Sequence, residues 1–289
     1  SSIRTSCPCA AQAPQAAIMC PAGKNMLKAD ISLNAAREVS GDLYLPEGSG
    51  PHPVVVAVHG GGWRRGSRKA LAQWGHFLAA NGIAFLATSY RLTTNGAVWP
   101  HNLADVHAAL EWVQAQGTME GLDVGRVGLL GASAGAHLAS LATLLRDEAK
   151  TPPVRALVGV YGVYDLVTHW QTDLVKNAPA AEDPTVRMLG VTPLDNPRLY
   201  FDASPISHVT HAVRGLKVQL IHGDHDADID HAQSEAFALR LRQGGAQVQY
   251  VTVPGAGHLW FSSEDMREPT SHCAYVAPRL LVFLKQSLS

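Results

Sequence analysis

The sequence predicts an α/β domain: a mostly parallel central sheet with helices on both faces and a small insertion capping one end. Three observations carry this. Short, apolar, β-branched runs recur along the chain, each too brief for a helix and each followed by a segment of helical periodicity, as in βαβ units. That alternation runs without a break through the middle of the 289 residues, which favours one large domain over two small ones. Hydrophobic residues make up 46% of the chain, enough to cover both faces of a buried sheet.

Taken in order, residues 1–30 form an extension rich in Ala, Pro, Ser and Cys with no sustained period, ahead of a main domain at 31–289. A β-rich entry at 38–45 leads to the strand Val54-Val55-Val56-Ala57-Val58 and a helix over 68–80. The strand 83–88 and a helix over 103–116 follow, the latter with Val106, Leu110 and Val113 on one face. Arg126-Val127-Gly128-Leu129-Leu130 reads as a strand, 136–142 as a helix and 154–161 as a strand. Residues 162–206 break the rhythm with scattered Pro, Asp and Asn and read as a cap holding Tyr164, Trp170, Met188, Tyr200 and Phe201. Strands at 217–222 and 247–253 and helices over 231–243 and 270–287 close the domain.

The turns between these elements concentrate the chemistry. Gly131-Ala132-Ser133-Ala134-Gly135 lies between a strand and a helix, so tight that small residues must flank the serine and its Oγ is pushed above the sheet edge. Ala134 then opens a helix, so its N–H points at charge that develops when Oγ attacks a carbonyl. Upstream, His59-Gly60-Gly61-Gly62-Trp63 follows the strand 54–58, and its three glycines leave consecutive N–H groups free to converge on one oxygen. A phosphate loop would continue with Lys-Ser or Lys-Thr, whereas Trp63-Arg64-Arg65 stands here. Downstream, the strand 217–222 ends in a loop with four acids, Asp224, Asp226, Asp228 and Asp230, and the strand 247–253 ends in Pro254-Gly255-Ala256-Gly257-His258. The chemistry of the loop alone does not separate its four carboxylates.

With these residues in view the chain resembles the α/β-hydrolases, nearest to the hormone-sensitive-lipase-like and bacterial feruloyl-esterase-like carboxylesterases. The resemblance runs from about Asp42 to the C-terminus, through His59-Gly60-Gly61-Gly62-Trp63, Ser89-Tyr90-Arg91-Leu92, Trp99-Pro100, Asp105, the turn around Ser133, Ala203-Ser204-Pro205-Ile206, His222-Gly223-x-x-Asp226 and Gly257-His258. It implies Ser133, Asp226 and His258 as a catalytic triad and the N–H groups of Gly61, Gly62 and Ala134 as the oxyanion hole. One departure is visible: where such enzymes often carry Val-Pro after the acid, Ile229-Asp230 stands here, adding a carboxylate. His59 is expected to brace the glycine loop, Arg91 and Asp105 to be structural partners, and Trp63 either to floor the acyl pocket or to pack the loop.

The expected activity is serine carboxylic ester hydrolysis of a small-molecule ester, short-chain or aryl, through an acyl-enzyme, with no cofactor and no metal. His208, His211, His222, His225 and His231 match no common ligand spacing. An arylformamidase uses similar machinery and is the first alternative; a non-catalytic hydrolase-fold binding protein is the second. The formal net charge of −1 offers no electrostatic case for nucleic acid or an anionic membrane, and no apolar run approaches the ~20 residues of a membrane span. Cys7, Cys9, Cys20 and Cys273 read as two disulfides tethering the extension, against four free thiols. No signal peptide is visible, and a start at serine rather than methionine is compatible with a removed leader; the expectation leans to a secreted or periplasmic chain, with a cytoplasmic one the alternative. A cap this short and Trp63 near the acyl site predict short acyl groups, with cap aromatics lining the leaving-group side.

Overall fold

The computed structural model describes residues 25–176 and 182–289. In chain order the elements are β1 (Met26–Asn34), β2 (Val39–Leu45), β3 (His52–Val58), α1 (Ala72–Ala80), β4 (Ala84–Thr88), α2 (His101–Gln116), β5 (Leu122–Ala132), α3 (Ala134–Leu144), β6 (Val154–Val160), α4 (Leu166–Val175), α5 (Pro184–Leu189), α6 (Pro197–Ala203), β7 (Lys217–Gly223), α7 (Ala232–Gly244), β8 (Gln247–Val253), α8 (Trp260–Ser263) and α9 (His272–Ser287). The strands form one eight-stranded sheet in the order β1-β2-β4-β3-β5-β6-β7-β8. The β1–β2 and β2–β4 pairs are antiparallel and every other pair is parallel. This is the α/β-hydrolase architecture.

Strand β3 shows how the sequence buries both faces. Its side chains alternate, so Val54, Val56 and Val58 join the layer formed with α2, α3 and α7, while Val55 and Ala57 join that of α1 and α9. All five are fully buried. Each valine contributes roughly 1.5–3 kcal/mol by leaving water.

The same strand sets the position of the site. Its two neighbours are β4 and β5, so successive strands are added on opposite sides and a crevice opens at their C-terminal ends. Val58 pairs in register with Gly131, which delivers the glycine loop after β3 and the serine turn after β5 side by side. At the far side Gly223 pairs with Val253, so the loops after β7 and β8 also emerge together.

Two regions differ from the sequence expectation. The entry is a hairpin, because β1 precedes β2; it is an edge strand with mostly exposed side chains and no apolar run to announce it. Among the described residues sheet structure therefore begins at Met26, inside the stretch expected to be extension. In the cap, the Pro, Asp and Asn that read as interruptions start helices: Asp183 caps α5 with Pro184 at its first turn, and Asn196 caps α6 with Pro197 likewise. Asp165 caps α4 in the same way.

Cys273 is a buried free thiol, its Sγ–H directed at Trp260 O at 3.2 Å. The expected bridges involve Cys7, Cys9 and Cys20, which lie outside the described residues. Among the described residues no helix is long and apolar enough to cross a membrane.

Candidate active site

Close packing dictates the glycines of the serine turn. A Cβ on Gly131 would lie 2.2 Å from Gly135 O, and one on Gly135 would lie 2.1 Å from Val58 O. Ser133 itself is held at φ +54°, ψ −124°, a conformation L-residues rarely adopt, and the strain projects Oγ over the end of the sheet.

Ser133, His258 and Asp226 meet there. The Ser133 hydroxyl lies 3.1 Å from His258 Nε2, and His258 Nδ1–H donates to Asp226 Oδ2 at 2.7 Å. Because Nδ1 faces a carboxylate it carries the hydrogen, which leaves Nε2 to accept from Ser133. Tyr161, fully buried, packs its ring 4.4 Å from the imidazole and limits its travel.

Asp226 is the member of its loop that reaches the histidine. Its Oδ1 accepts from Asp228 N at 3.0 Å and Ile229 N at 2.9 Å, and its Oδ2 also faces His222 Nε2 at 3.4 Å. His222 Nε2 lies 3.0 Å from Ile229 O, so it carries the hydrogen, and Nδ1 accepts from the Ser234 hydroxyl at 2.7 Å. Burial alone would raise the Asp226 carboxyl, but the hydrogen bonds from His222 and His258, the imidazole charge and the Ile229 N–H outweigh it. They hold the group well below the usual carboxylate range. The other three acids have local duties: Asp224 accepts from Gly255 N at 2.7 Å, Asp230 from Ala232 N at 2.9 Å, and Asp228 gives its carbonyl to Lys176. The sequence marks His222 within His222-Gly223-x-x-Asp226 without assigning it a part in holding the acid; the structure gives it that contact.

The glycine loop faces this group. Gly61 and Gly62 take φ of +123° and +59°, and Gly61 O is held by Arg64 N and Arg65 N at 3.3 and 3.1 Å. Ala134 is the first residue of α3, where an N–H has no acceptor in its own helix. Gly61, Gly62, Ala134, Ser133 and His258 all border one cavity of about 280 Å³. His59 braces the loop: its Nδ1–H donates to Gly60 O at 2.8 Å, and its ring stacks on Tyr90 at 4.4 Å. Arg91 meets Asp105 through Nε at 2.9 Å and Nη2 at 2.7 Å, away from the cavity.

Trp63 borders the cavity, yet its indole is 1% exposed and bound inward. Its Nε1–H donates to His137 Nδ1 at 3.2 Å, and His137 Nε2–H donates to Ala203 O at 2.7 Å. The glycine loop, α3 and α6 are thereby joined. Burial pushes the His137 imidazole down to about 4, so it stays neutral and keeps one accepting nitrogen for the indole. The packing role is what these contacts describe.

The cap departs from expectation. Tyr164, Met188 and Tyr200 are fully buried in the core, Trp170 is nearly so, and Phe201 is half exposed; none of the five lines the cavity. Its helices instead present His169, Asp173, Lys176 and Pro184 there. Tyr164, Trp170 and Tyr200 went inward because the cap has to build its own apolar contact with the domain.

The BD-FAE family model matches residues 41–241. Esterase LipC of Mycobacterium tuberculosis is 34% identical over 236 residues, covering 77% of this chain and 57% of that protein. The isoprenylcysteine alpha-carbonyl methylesterase ICME of Arabidopsis thaliana is 28% identical, covering 75% of this chain and 53% of its own length. The chain thus spans about half the length of these curated relatives. Among solved structures, carboxyl esterase 2 of the fungus Tuber melanosporum superposes with a TM-score of 0.76 at 24% identity, over 93% of this chain and 89% of that one, a likeness of fold.

Proposed function

We propose that this chain, which belongs to the BD-FAE family of α/β-hydrolases, is a serine carboxylic ester hydrolase acting on short-chain esters through an acyl-enzyme. The observation that carries the reading is the continuous hydrogen-bonded line from Ser133 Oγ through His258 to Asp226, opening on a cavity bordered by Gly61, Gly62 and Ala134. The relatives, an esterase and a methylesterase, support ester chemistry.

In the first step His258 Nε2 takes the Ser133 proton as Oγ attacks the ester carbonyl. The carbonyl oxygen gains the charge and moves toward the Gly61, Gly62 and Ala134 N–H groups, each such donor being worth about 3–4 kcal/mol in the transition state. The C–O bond to the alcohol then breaks and the imidazolium gives its proton to the departing oxygen. Water repeats the sequence on the acyl-enzyme, releasing the acid and restoring Ser133. Asp226 stays ionised throughout, keeping the hydrogen on Nδ1 and stabilising the imidazolium.

A cavity of about 280 Å³ sits at the small end for ligand sites, which favours a short acyl group. The absence of cap aromatics from its lining removes the stacking argument for an aryl alcohol. The test is hydrolysis of p-nitrophenyl esters from acetate to palmitate, beside N-formylkynurenine, by the parent protein and Ser133→Ala. Turnover greatest on short esters and lost in Ser133→Ala is expected. Turnover that survives in Ser133→Ala, or that favours the formamide or palmitate, overturns the reading.

A further inference from the structure

Helix α4 turns a charged face toward the loop that carries Asp226. His169, Asp173 and Lys176 follow at i, i+4 and i+7, which places them on one side of the helix, and all three line the cavity before Ser133. His169 Nε2 lies 3.5 Å from Asp173 Oδ2, and Asp173 Oδ1 lies 3.9 Å from Lys176 Nζ. Lys176, at the end of α4, donates from Nζ to Ala227 O at 2.7 Å and to Asp228 O at 2.9 Å. These two carbonyls belong to the same peptide groups whose N–H ends, at Asp228 and Ile229, hold Asp226 Oδ1 at 3.0 and 2.9 Å. Each of the two peptide planes is therefore gripped at its oxygen by the ammonium and at its nitrogen by the carboxylate. Hydrogen bonds chained in this way polarise one another, and an ammonium on the C=O makes the N–H a stronger donor.

We propose that Lys176 is a positioning residue for the catalytic acid: docked on the 227–228 and 228–229 peptide groups, it fixes the two N–H donors that orient Asp226 and ties the cap to the triad. This rests on the Ser133–His258–Asp226 reading above. Lys176 is 42% exposed on its side chain, so its replacement does not empty the core. Asp173 stands beside it as the counter-charge that keeps the ammonium over the loop.

The experiment compares Lys176→Met, Lys176→Arg and Ser133→Ala with the parent protein, on acetate esters of two different alcohols, with melting temperatures measured in parallel. Lys176→Met is expected to lose about tenfold in kcat, since a fraction of an ångström of slack at a triad member is costly. KM should stay the same for both alcohols, and Lys176→Arg, which can also donate to two carbonyls, should return kcat to within about twofold. Unchanged kcat in Lys176→Met overturns the proposal. So does a KM change that differs between the alcohols, which would mean direct substrate contact, or a lowered melting temperature with kcat intact, which would mean a stabilising role alone. Activity surviving in Ser133→Ala overturns the underlying reading instead, so the two failures are distinguishable. If Lys176→Met does not fold, Lys176→Gln, which keeps a shorter, uncharged donor group, is measured in its place and is expected to have an intermediate kcat; parental kcat there refutes the proposal equally.

Discussion

Asp226→Asn isolates the role of the acid because the loop dictates how the new amide must sit. The two N–H groups of Asp228 and Ile229, at 3.0 and 2.9 Å, demand an acceptor at the Oδ1 position, so the asparagine oxygen takes that place. The amide NH₂ is then forced into the position of Oδ2, 2.7 Å from His258 Nδ1 and 3.4 Å from His222 Nε2. Both of those nitrogens carry hydrogens in the native protein, and donors facing a donor repel. His222 is locked by Ile229 O and Ser234, so His258 is the ring that yields. It moves its hydrogen to Nε2, where it can no longer accept the Ser133 proton. The expected loss is about 10⁴-fold in kcat, the size found for the same change in the triad of a serine protease, or about 5.5 kcal/mol of transition-state stabilisation. The assay is initial-rate hydrolysis of p-nitrophenyl acetate at neutral pH, with circular dichroism to establish that the variant is folded. A folded Asp226→Asn protein within tenfold of the parent refutes the tautomer argument. So does a larger loss in Asp224→Asn or Asp228→Asn, whose side chains do not touch the histidine.

The remaining predictions concern stability. Trp63→Phe replaces the buried indole with a smaller ring and removes the N–H that His137 Nδ1 accepts, leaving a buried acceptor unpaired; a cost of at least about 1–3 kcal/mol is expected in urea unfolding, and an unchanged midpoint would refute it. Asp226 is held below the usual carboxylate range, so the folded state binds its proton less readily than the unfolded chain. Its contribution to stability is complete above the unfolded value of about 3.9 and is lost as pH falls below it toward the folded value. Unfolding midpoints measured between pH 6 and pH 3 should therefore fall more steeply in the parent than in Asp226→Asn, and parallel curves would contradict this.

What was legible in the sequence is what local physics dictates. Alternating and β-branched runs such as 54–58 can only be buried strands, and Gly131 and Gly135 are required by close approaches within a few residues of the turn and to the adjoining β3. That is why the serine turn, the glycine loop and the mostly parallel character of the sheet were visible in the sequence. The helix starts at Asp183-Pro184 and Asn196-Pro197 were equally local, and the signal was present but read as interruption. Strand β1 was hidden because an exposed edge needs no apolar pattern; it forms because β2 offers it a partner. Four aspartates in one loop are chemically alike, and it was the family resemblance, not the chemistry of the loop, that singled out Asp226 in the sequence; the contact itself forms only when β7 lies against β8 and the turn after one strand is brought against His258 from the next. The direction in which the cap aromatics point was likewise undecided by composition: they follow the apolar surface of the domain, and polar side chains are left facing the cavity. Trp63 finds His137 from 74 residues away and Lys176 finds Ala227 from 51, contacts that exist only once distant segments are packed together.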